Sequence, residues 1–192
     1  TAMARDPGNP YSQHALGYAA GQAACQENGD TSQAVQAYQR SLETYPNWGR
    51  DRANLALLHA KQGNYHIAAR EMKLAVDFHP QQALYSCLLG DFQLELGNEE
   101  QALTSYADCL KQSPSILDTP YWQSDVTKQE LRNRAVEKAI TILENQEEPI
   151  NNVSLIQIYN FIGQQKKSKR ALQEFLEEFP HHPQGKMLLG LD

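Results

Sequence analysis

The chain has 192 residues, 41% of them apolar, and a formal net charge of −6 from 17 Lys or Arg and 23 Asp or Glu. That apolar share is enough for a core and excludes a disordered chain. The acidic balance argues against a nucleic-acid binder, which presents a basic face, and no apolar run approaches the length needed to cross a bilayer. No secretory leader is read at the start either, and the chain opens at Thr1 without an initiator Met. The three cysteines, Cys25, Cys87 and Cys109, form no Cys-x-x-Cys pair and are odd in number. They are therefore expected as free thiols, without a disulfide framework or a zinc site. Three free thiols favour a reducing compartment.

In chain order, "ARDPGNP" reads as the tail of a second helix closed by Pro7. Pro7 to Gly29 spans 22 positions, whereas Pro46 to Gly63 spans 17. Five extra residues would turn a helix about 140° beyond one full turn and rotate its apolar face away. A lead-in near Tyr11, followed by a helix from about residue 11, is expected instead.

From there the chain repeats itself. Gly29, Gly63 and Gly97 are 34 residues apart, as are Ala34, Ala68 and Ala102, and as are Pro46, Pro80 and Pro114. Each landmark has a physical task. Gly after a polar helix end adopts the left-handed conformation that closes the helix. Asp30, Asn64 or Asn98 follows as the expected N-cap of a second helix. The small Ala lets two helices approach closely. Tyr38 and Leu42, Met72 and Val76, and Tyr106 and Leu110 then continue one apolar stripe at four-residue spacing. Pro ends the second helix. A hairpin of this kind cannot bury its own face, whereas a stack of hairpins buries a continuous core.

These residues resemble the tetratricopeptide repeat in period, turn Gly, small Ala and closing Pro. The expected fold class is all-α: an α-solenoid of stacked helix-turn-helix hairpins, with about five repeats and an irregular fourth. One array over 1–192 is expected, with regular repeats at about 15–48, 49–82 and 83–116. An irregular repeat at 117–148, a degenerate one at 149–182 and the start of a further helix at 183–192 complete it. The degenerate repeat keeps the offsets through Gly163, Ser168, Leu172, Leu176 and Pro180, and Leu189–Gly190 then begins another first helix. Both ends read as cuts through a unit, so a segment of a longer protein is expected. The Gly-Asn-x-x-x-Ala style and short connections point to a bacterial source.

The fourth repeat breaks at "SPSILDTPYWQSDVT", residues 113–127. Pro114 and Pro120 exclude a regular helix there. Thr127 and Glu130 suggest a capping box for a following helix that buries Leu131, Ala135, Ala139, Ile142 and Leu143 and ends before Pro149. Tyr121 and Trp122, within the break, either fill the place of the missing helix or offer an aromatic contact to a partner.

Catalytic signatures are missing: there is no phosphate-cradling Gly loop, nucleophile elbow or His-Glu-x-x-His. No catalytic, cofactor-binding or metal-ligating residue is assigned, no cofactor is expected, and the chain is expected not to be an enzyme. His59, His66, His181 and His182 read as turn histidines. Cys109 falls at a core position, Cys25 reads as packed, and Cys87 is expected to face the groove as the most reactive thiol. The basic run Lys166, Lys167, Lys169 and Arg170 is followed by Glu174, Glu177 and Glu178, so it reads as a solvated helix face. Asn152 fits a glycosylation sequon, although Asn151 or Asn152 as an N-cap is preferred.

The resemblance implies a concave groove lined by first helices that binds a peptide or helix. The groove residues expected are Arg50, Asn54, Leu57, Leu84, Cys87, Leu88 and Asp91. Some relatives carry a basic–Asn clamp for a C-terminal carboxylate. Arg50 and Asn54 suit it, but Leu16 and Ala20, and Leu84 and Leu88, stand at the corresponding positions of the neighbouring units, so the clamp is incomplete. The reading is a non-catalytic protein-interaction scaffold. The partner is a protein or peptide, with no nucleic acid and no membrane insertion of this segment, and the array ends are expected to self-associate. The alternative is a soluble appendage of a bacterial membrane protein such as an O-antigen ligase or polymerase, suggested by the "TPYW" interruption. Cytoplasmic location goes with the first reading, and the extracytoplasmic side of a membrane with the second.

Overall fold

Antiparallel helices joined by short turns require a residue that reverses the chain at each helix end. The computed structural model describes residues 9–26, 31–145 and 149–188, and every regular element among them is helical. The chain divides into two compact units, Thr1–Ala102 and Leu103–Asp192.

The first unit contains α1 (Pro10–Gln26), α2 (Ser32–Thr44), α3 (Gly49–Lys61), α4 (Tyr65–Phe78) and α5 (Ala83–Glu95). The unit boundary falls within α6 (Glu99–Gln112). Each helix from α1 to α4 packs on the next, and α1 also reaches α3. Gly63 and Gly97 both have φ of 76°, the left-handed conformation expected of them. At each turn the Gly N–H bonds three residues back, and the following Asn N–H bonds five back to His59 or Gln93, forming a Schellman closure. Asn64 occupies the N-cap position of α4, but its side chain does not cap. It donates to Gln62 Oε1 at 3.2 Å, and Asn98 likewise donates to Gln93 Oε1 at 2.9 Å. The Asn side chains therefore lock the turn they leave rather than the helix they begin. Gly29 and Asp30 lie outside the described residues, as do Pro7, Leu189–Gly190 and the Cys25 side chain.

Ala34, Ala68 and Ala102 are all fully buried, as expected of the small residue in each second helix. One core cluster joins Ala34, Tyr38 and Leu42 to Leu55 and Leu58. The next joins Ala68, Met72 and Ala75 to Ala53, Ala56, Leu89 and Phe92. Each second helix thus presents its apolar stripe to the first helices on both sides. Arg52 ties α3 to α4 by donating to Glu71 at 2.6 Å.

In the second unit, α6 is followed by a 3-10 helix, Pro114–Asp118, then α7 (Pro120–Gln123) and a 3-10 turn, Val126–Lys128. Next come α8 (Gln129–Glu144), α9 (Pro149–Phe161), α10 (Gln165–Glu178) and α11 (Pro183–Leu188). Both prolines of the break begin a short helix, the one place where a missing N–H costs nothing. The Pro114–Asp118 turn packs on α7 and on α9, so the irregular segment does occupy the interior. The expected capping box does not form. Asp125 accepts from Thr127 N–H at 3.1 Å and from Thr127 Oγ1 at 2.6 Å, Thr127 lies in the 3-10 turn, and α8 begins two residues later. Leu131, Ala135, Ala139 and Leu143 face inward as expected. Asn151 and Asn152 lie inside α9 rather than at its cap. Ser168 is buried and donates to the Ile156 carbonyl, taking the place of the small Ala. Gly163, with φ of 74°, closes α9 in the same way as its two counterparts.

Candidate functional site: a groove and an aromatic corner

In the first unit, α1, α3 and α5 are the first helices of successive hairpins, and α3 and α5 carry the residues expected to line a groove. Leu57 on α3 and Leu84 on α5 remain 42% and 46% exposed, too much for core residues. Arg50 is exposed and Asn54 half-buried one turn along. The Asn54 side chain hydrogen-bonds to the Tyr38 hydroxyl. Burial, followed by the nearby Asp51 carboxylate, pushes the Tyr38 phenol well above the usual tyrosine range. Burial raises the Tyr85 phenol too, while the field of Arg50 pulls it down. Asn54 and Leu57 open into one cavity of about 170 Å³, whose far wall is Tyr18, Gly21 and Gln22 of α1. Leu88 and Asp91 are half-buried, and Leu88 packs on the core.

Three expectations need correction here. Cys87 is fully buried, so it does not line the groove. Cys87 and Cys109 are each disulfide-bonded, not free thiols. Trp122 is 3% exposed and is not an aromatic contact for a partner. Its ring meets Tyr106 edge-on at 5.7 Å in the space of the absent helix, and Tyr121 is half-buried beside it.

The α1 contribution was hidden in the sequence. The extra residues before Gly29 obscure the register of the first hairpin, so no α1 residue was assigned to the groove, whereas Tyr18, Gly21 and Gln22 line the cavity. A second feature carries no periodic signal at all. Tyr11, Tyr45 and Trp48 converge where α1 starts and α2 turns into α3. Trp48 meets Tyr11 at 5.1 Å and 73°, and Tyr45 at 5.9 Å and 82°. With Pro46, Asn47 and His79 they line a cavity of about 370 Å³. Behind Trp48, the His14 ring stacks at 5.2 Å, and its Nδ1 pairs with Oδ1 of the fully buried Asp51. The second oxygen of Asp51 has no hydrogen-bond partner.

In the second unit, His182 is not simply a solvated turn residue, because it packs edge-on to Phe175 at 5.3 Å. Tyr159 donates to Glu144 at 2.5 Å, with Lys167 over its ring at 5.3 Å. Arg170 pairs with Glu174 at 2.8 Å, so part of the basic run is neutralised on its own helix. No group of three His, Cys, Asp or Glu among the described residues could hold a metal ion. No described helix is long and apolar enough to cross a membrane.

Two tetratricopeptide repeat family profiles match the sequence, over residues 15–47 and 53–115. The chain belongs to the tetratricopeptide repeat family. Solved structures agree on the fold. A MamA protein aligns over 86% of this chain and 91% of its own, with 17% identity and a TM-score of 0.51. PilF of Pseudomonas aeruginosa aligns over 100% of this chain and 86% of its own, with 13% identity and a TM-score of 0.57. An O-GlcNAc transferase mutant of Thermobaculum terrenum aligns over 79% of this chain but only 26% of its own, with 22% identity and a TM-score of 0.50. At such identities the likeness is one of fold. No curated protein matches the sequence. As a tetratricopeptide repeat protein, the chain is a protein-interaction scaffold in general terms, with a protein as its partner.

Proposed function

We propose that the first unit binds a peptide or helix of a partner protein in the groove between α1, α3 and α5, without catalysis. The observation that carries this reading is the exposure of Leu57 and Leu84, at 42% and 46%, on two successive first helices. Apolar side chains left open on a concave lining serve as anchors for the partner's apolar side chains. Tyr18 adds a third exposed apolar point, and the cavity of about 170 Å³ beside Asn54 and Leu57 has room for one aliphatic side chain. Arg50 and Asp91 supply opposite charges that orient a bound segment without setting a strong overall field.

Selection of binding peptides from a random display library against the 192-residue chain tests this reading. Peptides rich in spaced apolar residues should emerge, and should bind at least about tenfold more weakly when Leu57, Leu84 and Leu88 are all replaced by Ser, with helicity retained. Peptides that bind the triple variant as well as the parent would sink the groove assignment.

A further inference from the structure

We propose that the aromatic corner formed by Tyr11, Tyr45 and Trp48 is a second docking site, which receives an arginine side chain of a partner protein. The corner lies at the edge where helices are joined, whereas the groove is lined by the bodies of first helices, so this inference stands apart from the groove reading. Tyr11 is 66% exposed and Tyr45 48% exposed, and neither ring fills the core. Ring centroids stand 5.1, 5.9 and 6.3 Å apart, at steep mutual angles. A cation placed about 4.5 Å above that triangle lies within about 6 Å of all three centroids, the range over which a ring attracts a cation.

The chain's net negative charge favours a cation over an apolar or proline-rich occupant, and Arg52, which bonds to the lining Pro46, is itself paired with Glu71. None of the six lining residues carries a fixed positive charge. The protein as a whole is acidic, with a net charge of −6. The buried Asp51 carboxylate lies behind the corner, joined to it through His14. Guanidinium is favoured over ammonium because it is planar, weakly hydrated and stacks on rings. The protein already uses the same chemistry on this turn: Arg52 Nε donates to the Pro46 carbonyl at 2.7 Å, with its guanidinium 5.7 Å from the Phe78 ring centroid. Asn47, which also lines the cavity, adds an amide oxygen able to accept from a guanidinium.

Titration of the intact chain with acetyl-Gly-Arg-Gly-amide, and with the same peptide carrying neutral citrulline, tests the proposal by NMR. Trp48 and Trp122 are its two tryptophans, and the buried Trp122 indole serves as an internal control. The arginine peptide should move the Trp48 indole signal and leave that of Trp122 in place. Its apparent affinity should exceed that of the citrulline peptide by about fivefold or more, and Tyr11→Leu should weaken it by a similar factor while Tyr11→Phe retains it. Binding should survive Leu57→Ser with Leu84→Ser, so a failed groove leaves this result intact. Equal response to citrulline would make the corner a plain apolar contact and overturn the proposal. Response only to acetyl-Pro-Pro-Gly-amide, indifference to Tyr11→Leu and Tyr45→Leu, or no movement of Trp48 would each overturn it as well.

Discussion

Arg132 donates through Nη1 to the Trp122 carbonyl at 2.7 Å, and through the same nitrogen to the Tyr121 carbonyl at 3.0 Å. The side chain is 1% exposed, and its guanidinium lies 5.0, 5.1 and 5.9 Å from the Tyr121, Trp122 and Tyr106 ring centroids. An α8 residue thereby holds the short α7 helix where a regular first helix would otherwise stand. The carbonyls at the end of a four-residue helix have few backbone donors in reach, and the guanidinium supplies one.

Arg132→Ala should therefore destabilise the second unit by about 3 kcal/mol, since it removes charge-assisted hydrogen bonds and leaves a cavity beneath three rings. Arg132→Lys should recover less than half of that loss, because a single ammonium cannot stack as the planar group does. Denaturant unfolding followed by circular dichroism measures both. A change below about 0.5 kcal/mol for the alanine variant would show that the pin is dispensable.

Gly63→Ala should cost about 1–2 kcal/mol through its φ of 76°, although its Cβ would meet no atom within 4 Å. Gly63→Asn should cost less, since Asn tolerates the left-handed region. Gly17→Ala tests the opposite mechanism. That glycine has no positive φ, and an added Cβ would meet the Tyr38 ring at 2.9 Å. A similar fall in thermal midpoint for both alanine variants, relieved only for Gly17 by a companion Tyr38→Leu, would separate backbone strain from crowding.

Ala68→Leu should cost about 1–3 kcal/mol, because the residue is fully buried where α4 meets α3 and the added methyl groups have no space. Leu57→Ser and Leu84→Ser should each change stability by less than about 0.5 kcal/mol, as both side chains are exposed. Thermal unfolding of the three variants checks the contrast. A large loss at Leu57 or Leu84 would make it a packing residue rather than a binding one.

Tyr38 and Tyr159 should ionise well above the ordinary tyrosine range in an alkaline titration followed by ultraviolet absorbance. Burial raises both phenols, reinforced by Asp51 at Tyr38 and by the hydrogen bond to Glu144 at Tyr159. The folded state therefore keeps these protons at a pH where the unfolded chain releases them. Stability is fully present below the ordinary tyrosine range of about 10 and falls as pH rises above it. Tyr159→Phe should flatten part of that decline. An unchanged alkaline limb would show that Tyr159 contributes nothing to it.

The repeating architecture was legible in the sequence because its causes are local. A glycine at each turn, an alanine at each close approach and a proline at each exit act within a few residues of themselves, and their 34-residue spacing survives in one dimension. The exposed positions of the proposed groove were half legible for the same reason. Leu57 and Leu84 keep the repeat register and are exposed, whereas Tyr18 and Gln22 stand behind an insertion that breaks it. Tertiary structure decided the rest. Cys87 is oxidised and buried, Trp122 is enclosed, and Tyr11 meets Trp48 through contacts between residues far apart in the chain, which no period records. Arg132 shows the limit most plainly. On a helical pattern it reads as a surface cation, and only the break at Pro114 and Pro120 creates the ring of carbonyls and aromatic faces that makes its burial favourable.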